Sequence, residues 1–303
     1  MARWLDPEAP GEPAVEGCYI ETAENNFLTF NNINSIYFQS RINCWFQAPG
    51  IIETMNFIRS NKPAGHKYIT YGSSMGGHAA ISFFHEIGAD FFLALSPQVS
   101  MSDAYMDSID DNRWRKVSRI FQYDHILEGK CKNARGIVTT DLLYPEDRHH
   151  ALDLIKNTTS YLIDCPEMWH ESGRAVNREY GLVELLKTIG QNELQSVDSF
   201  IVAAEIQKSI EQSDATKLVK AEPWQRLEII AQTGLTDIDK QVSFDALAYE
   251  FKQTPTWERA IFLLLFARSS DNQARLDRLS FMLKNNGFEN LAEECTSIAA
   301  VQS

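Results

Sequence analysis

Apolar and polar positions change their rhythm at about residue 191. Before that point, short β-prone runs alternate with helix-period segments. Strands are predicted over residues 18–22, 26–30 (NFLTF), 35–39, 67–71, 91–95 (FFLAL), 136–140 (GIVTT) and 161–165 (YLIDC). Between them, residues 49–60 place Ile51, Ile52, Met55 and Ile58 on one helical face behind Pro49, and after the last strand residues 181–189 supply a further helix. Strands that take turns with helices predict an α/β fold built on a mainly parallel sheet with helices on both faces.

After residue 191 no convincing strand occurs, and helical patterns run to the C-terminus. Thr254 and Pro255 read as an N-cap and first helical residue ahead of Trp257, Ile261, Leu264 and Leu265, and Gly287 reads as a helix end. The triplets WQR at 224–226 and WER at 257–259 lie 33 residues apart, but two copies of one triplet do not establish a repeat. The expected organisation is a leader over 1–16 with three prolines, an α/β domain over 17–190 with a polar insertion at about 98–133, and an all-helical domain over 191–303. Trp224, Leu227, Ile229, Ile230, Trp257 and Ile261 give the helical part an apolar content that must be packed. No Gly-, Ser- or Pro-rich spacer separates Gly181 from Val197, so the helical part is expected to dock on the first domain.

Composition narrows the function classes. The net charge of −13 is spread over both parts of the chain, which disfavours nucleic acid and anionic membrane as partners. Five scattered cysteines, Cys18, Cys44, Cys131, Cys165 and Cys295, never form a CxxC pair, so neither a disulfide framework nor a zinc site is expected and a reducing, cytoplasmic setting fits. The first residues carry one basic and several acidic side chains and no apolar core, unlike a signal peptide. The apolar run at 260–267 is far short of a membrane span.

Candidate chemistry concentrates in residues 67–80, KYITYGSSMGGHAA. A strand feeds a cramped turn with Gly72 and Gly76 on either side of Ser74, and small residues then open a buried helix. Such a turn holds its central residue in a strained conformation, which lifts the Ser74 hydroxyl above the sheet, and it leaves the Met75 amide free to stabilise an oxyanion. In this context the nucleophile reading outweighs a structural Gly-rich turn.

With that turn, and with YGSSMGGHAA, ADFFLALSPQVS and DNRW, residues 20–190 resemble the α/β-hydrolase family, in particular bacterial members of ill-defined substrate. The resemblance implies a cofactor-free serine hydrolase acting on a small-molecule ester or thioester, with nucleophile, acid and histidine in that chain order. The matching residues are Ser74, Asp141 after the GIVTT strand and His170 after the YLIDC strand, with Asp147 as the alternative acid. Asp147 also reads as a cap of the helix starting near Pro145. Five of the six other histidines, His78, His85, His125, His149 and His150, are rivals that lie on the helices or in the insertion, and none comes after the last strand as His170 does. The family places a second oxyanion amide after an early strand, here at Asn31 or Asn32, which read equally well as a polar turn. The HGGG-type loop of the family is missing there.

In the insertion, Arg113, Arg115, Lys116 and Arg119 read as a solvated helix face or a site for an anionic substrate group, and Trp114, Phe121 and Tyr123 as packing or a pocket wall. Two further functions use the same sequence: an inactive hydrolase-like scaffold whose helical part meets a protein partner or a second copy, and an acyltransferase with the same three residues.

Overall fold

The structure is a computed structural model; it describes residues 18–21, 35–40, 45–113, 121–166, 168, 170–191, 198–235, 238, 240–269 and 273–302. The expected strand at 26–30, with Asn31 and Asn32, lies outside the described residues. Two antiparallel strands, β1 (Cys18–Glu21) and β2 (Tyr37–Ser40), form a small ribbon. The main sheet is parallel, with strands β3 (Ile69–Ser73), β4 (Phe91–Leu95), β5 (Arg135–Thr140) and β6 (Thr159–Asp164) side by side in chain order.

β4 is FFLAL, buried along its whole length. A continuous apolar run suits a strand covered on both faces. Helix α1 (Ile51–Ser60) turns Ile51, Met55 and Ile58 inward, where Ile51 and Met55 join Phe46 and Phe83. The helix opens two residues later than expected from Pro49, because Gly50 at its N-cap adopts φ 81. Against the strands themselves, Ile81, Phe84, Phe92, Ala94, Val138 and Leu154 form a second buried cluster. β5 can approach β4 only because residue 136 is glycine; a Cβ there would overlap the Phe92 carbonyl and ring.

Register decides where chemistry can gather. Ser73 pairs with Leu95, Leu95 with Thr139 and Thr140 with Asp164, so the carboxyl ends of the four strands are level. The segments that leave those ends start at Ser74, Ser96, Asp141 and Cys165, all on one edge of the sheet, where ligands of such folds bind. From there the chain enters α2 (Met75–Ser82) and α3 (Phe84–Ile87), then α4 (Asp103–Ser108), α5 (Pro145–Asn157), α6 (Gly173–Glu179) and α7 (Leu182–Gln191).

Two compact units divide the chain, one drawn from Met1–Cys165 and His170–Gln207, the other from Pro166–Trp169 and Lys208–Ser303. The division falls within α8 (Asp198–Gln212), on whose first half Phe200 meets Tyr161 of β6. In the second unit, α9 (Asp214–Lys220), α10 (Pro223–Thr233), α11 (Lys240–Gln253), α12 (Trp257–Arg268), α13 (Gln273–Asn285) and α14 (Glu289–Gln302) surround Phe244, Leu247, Phe251, Leu263, Phe266 and Leu279.

Buried Arg226 donates to the carbonyls of Leu218, Val219 and Ala221 and to both oxygens of Glu250, tying the end of α9 to α11. α12 starts after Thr256, whose hydroxyl accepts from the Arg259 amide, not after Thr254. Trp224 and Trp257, expected in the core, are 65% and 53% exposed. Among the described residues no helix is long and apolar enough to cross a membrane.

Candidate active site

The turn between β3 and α2 is as cramped as its sequence demands. A Cβ on Gly72 would overlap the backbone of Gly76, whereas a Cβ on Gly76 would meet nothing. The second close approach belongs to Gly77, where a Cβ would lie 3.0 Å from Pro97. Only one of the two glycines expected to be obligatory is so. Ser74 has φ 54 and ψ −120, a strained conformation for a residue with a side chain, and its amide donates to the Leu95 carbonyl at 2.8 Å. Met75 opens α2, so its N–H belongs to the first turn, which has no acceptor within the helix.

Above this turn, Ser74 Oγ lies 2.7 Å from His170 Nε2, and His170 Nδ1 lies 2.8 Å from Asp147 Oδ2. A carboxylate only accepts, so Nδ1 carries the ring proton and Nε2 presents its lone pair to the serine hydroxyl. Ser172 anchors the loop that carries His170. Its Oγ lies 2.8 Å from Ser96 Oγ and 2.6 Å from Thr139 Oγ1 and donates to the Thr139 carbonyl, which moors the loop to the ends of β4 and β5.

The carboxylate at His170 is therefore Asp147, not Asp141. Directly at the end of β5, Asp141 is fully buried and bends the chain: its Oδ1 accepts from the Leu143 amide at 2.9 Å and its carbonyl from the Tyr144 amide. That turn lets α5 begin at Pro145, which puts Asp147 in the first helical turn. There the helix dipole favours a negative charge. Asp147 is not a helix cap either, since the N-cap residue is Tyr144.

The insertion supplies the support of Asp147. Arg113 Nη1 donates to Asp147 Oδ1 at 2.6 Å, while its Nε and Nη2 donate to Asp111 at 3.0 and 2.7 Å, and its guanidinium lies over the Tyr144 ring. Arg113 is thus neither a solvated face nor an anion site; Arg115, Lys116, Arg119 and Trp114 lie outside the described residues. Burial alone would push the Asp111 carboxyl up, but hydrogen bonds from His150 and Arg113 outweigh it and hold the group well below the usual carboxylate range. Burial pushes the Tyr144 phenol up to about 12, against the pull of Arg113. Phe121 packs edge-on against His78 and Tyr123 against Phe83, so both serve as packing.

Sequence reading did not single out Gln98. Its buried side chain reaches both partners, with Oε1 3.3 Å from Ser74 Oγ and Nε2 3.3 Å from His170 Nε2. Two of the rival histidines position it. His78 Nδ1 donates to the Gln98 carbonyl at 3.1 Å and accepts at Nε2 from Ser82 Oγ. His150 Nδ1 accepts from the Val99 amide at 3.1 Å, so its Nε2 proton faces Asp111 Oδ2 at 3.2 Å. Burial lowers the pKa of both rings, that of His78 to about 4. Neutral, singly protonated imidazoles fit these contacts. The signal for Gln98 was its place two residues beyond Ser96, at the level carboxyl end of the sheet.

No family model, curated protein or solved structure matches this chain. Among the described residues no group of three His, Cys, Asp or Glu side chains is arranged to hold a metal ion. What Ser74, His170 and Asp147 can do chemically is move a proton from a hydroxyl to an imidazole whose positive form a carboxylate stabilises.

Proposed function

We propose that the protein is a serine hydrolase that cleaves a small carboxylic ester or thioester through an acyl-enzyme on Ser74, carried on an α/β-hydrolase-like domain. The observation that carries this reading is the continuous hydrogen-bonded line from strained Ser74 through His170 to buried Asp147, at 2.7 and 2.8 Å. The chain order Ser74, Asp147, His170 is that of the α/β-hydrolases.

Ser74 Oγ attacks the acyl carbonyl as its proton passes to His170 Nε2, and Asp147 stabilises the resulting imidazolium. The N–H of Met75 donates to the oxyanion of the tetrahedral intermediate. Collapse breaks the bond to the leaving group, which takes the proton back from His170, and the acyl group remains on Ser74. Water then attacks the acyl carbon and gives a proton to the same nitrogen; the bond to Ser74 Oγ breaks, Oγ takes that proton back from His170, and the acid leaves.

Turnover of short-chain p-nitrophenyl esters and acyl thioesters by the purified protein tests the reading. Ser74→Ala is expected to lower kcat by about 10³-fold or more. A folded wild-type protein that cleaves none of these substrates, or a Ser74→Ala variant that cleaves them as fast, would overturn it.

A further inference from the structure

Behind the acid lies a second charged group that proton transfer from Ser74 does not itself require. Asp147 is 1% exposed and shares Arg113 with Asp111, which is fully buried. Two carboxylates and one guanidinium leave one net negative charge, and neutral His150 adds none. An arginine paired with the acid alone would cancel the charge that an imidazolium at His170 needs.

We propose that Asp111 and Arg113 form a charge-balancing pair in which Arg113 fixes the Asp147 carboxylate while Asp111 neutralises Arg113, so that Asp147 keeps its negative charge for His170. The inference rests on the hydrolase reading and adds to it how the basicity of that site is set. Both are positioning residues: they act on His170 through Asp147.

The geometry gives each partner a separate task. Asp111 takes Arg113 in a bidentate grip, at 3.0 Å from Nε and 2.7 Å from Nη2, and the Arg113 amide closes the turn onto the same carboxylate at 3.0 Å. That leaves Nη1 to reach Asp147. His150 holds Asp111 from α5 and is itself fixed by the Val99 amide. Among the described residues, other titratable groups near this cluster include Tyr144 over Arg113, Glu146 beside Asp147 on α5, Tyr105 against the His150 ring with Asp153 and Asp124 near it, His78 on α2, and the exposed Glu171–Arg174 pair after His170. None of them neutralises Arg113.

The test is the pH dependence of Ser74 labelling by a fluorophosphonate probe, which needs no knowledge of the substrate. Labelling should fall on the acid side as His170 takes a proton. Asp111→Asn keeps acceptors for Arg113 and His150 but removes the balancing charge, so protonated His170 loses support and the acid limb should move down by about half to one pH unit. Arg113→Lys keeps the charge and loses the fork, so labelling should slow while the limb stays in place. Asp111→Ser makes the same charge change in a smaller side chain and decides the matter if Asp111→Asn does not fold.

A limb that stays put when Asp111 is neutralised, with only a lower rate, makes the pair purely structural and overturns the inference while the hydrolase reading stands. A wild-type protein that takes no probe at any pH overturns both.

Discussion

Asp141 and Asp147 are both buried carboxylates within one turn-helix segment, and their environments separate them: one accepts from a backbone amide two residues on, the other from the His170 ring. Asp147→Asn is expected to lower kcat by about 10²–10⁴-fold, because an amide at Nδ1 favours the wrong tautomer and cannot support the imidazolium. Asp141→Asn keeps an acceptor for Leu143 and should leave kcat within a few-fold, at a stability cost of about 1 kcal/mol. Steady-state kinetics and melting of the two variants check this, and equal losses of kcat would return the acid to doubt.

Buried His78 makes a prediction about pH. Its folded pKa of about 4 lies below the ordinary 6.5, so the unfolded chain binds more protons between those values. Stability should fall as pH drops through that window, by about 3 kcal/mol in all from this group. His150 acts in the same direction, and Asp111 adds a further loss below the ordinary carboxylate range. Thermal melts across the window should show Tm falling with pH; a flat Tm would contradict neutral, buried imidazoles.

Of these residues, Ser74 and His170 could be found in the sequence because each is tied to a strand end, one by a glycine turn and the other by its place after the last strand. Asp147 was only an alternative, since nothing local reveals that Asp141 is used up in its own turn. Arg113 and Asp147 are 34 residues apart, and Gln98 and His170 are 72 apart; such pairings are tertiary facts with no local pattern.

Among the elements, β4 and β5 were the most legible because buried parallel strands announce themselves as apolar runs, whereas the partly buried β3 starts two residues later and β6 two residues earlier than predicted. β4 occupies the predicted residues 91–95, and β5 begins one residue earlier than predicted. Helix starts were less legible: α1 and α12 each open two residues beyond the proline that suggested them. The turn before α2 invites a paired substitution. Gly72→Ala should cost about 3 kcal/mol or more, since its methyl would overlap backbone that cannot move away. Gly76→Ala fills open space at a helical position and should gain about 0.5–1 kcal/mol. Denaturant unfolding of both variants measures this; similar losses from both would show that the turn is not built as described.

For the whole molecule, the helical region from residue 208 onward has its own core around Phe251, Leu263 and Phe266 and its own buried ion pair, Arg226 with Glu250. Residues 198–303 made alone should therefore fold cooperatively, with helical circular dichroism and a single melting transition. A fragment without a transition would show that this core is not sufficient. The amphipathic pattern was readable in the sequence here, but not which apolar side chains stay out: Trp224 and Trp257 begin their helices and face solvent, while Phe251 and Phe266 fill the centre.

The proposed chemistry rests on one serine, Ser74, activated by His170 and Asp147 as the nucleophile. Its most direct measurement is mass-spectrometric mapping of the adduct formed by a fluorophosphonate probe on the intact protein. One adduct per chain is expected, on the peptide containing Ser74, absent in Ser74→Ala and formed at least about 10²-fold more slowly in His170→Ala. An adduct on another residue, or one that persists in Ser74→Ala, would contradict it.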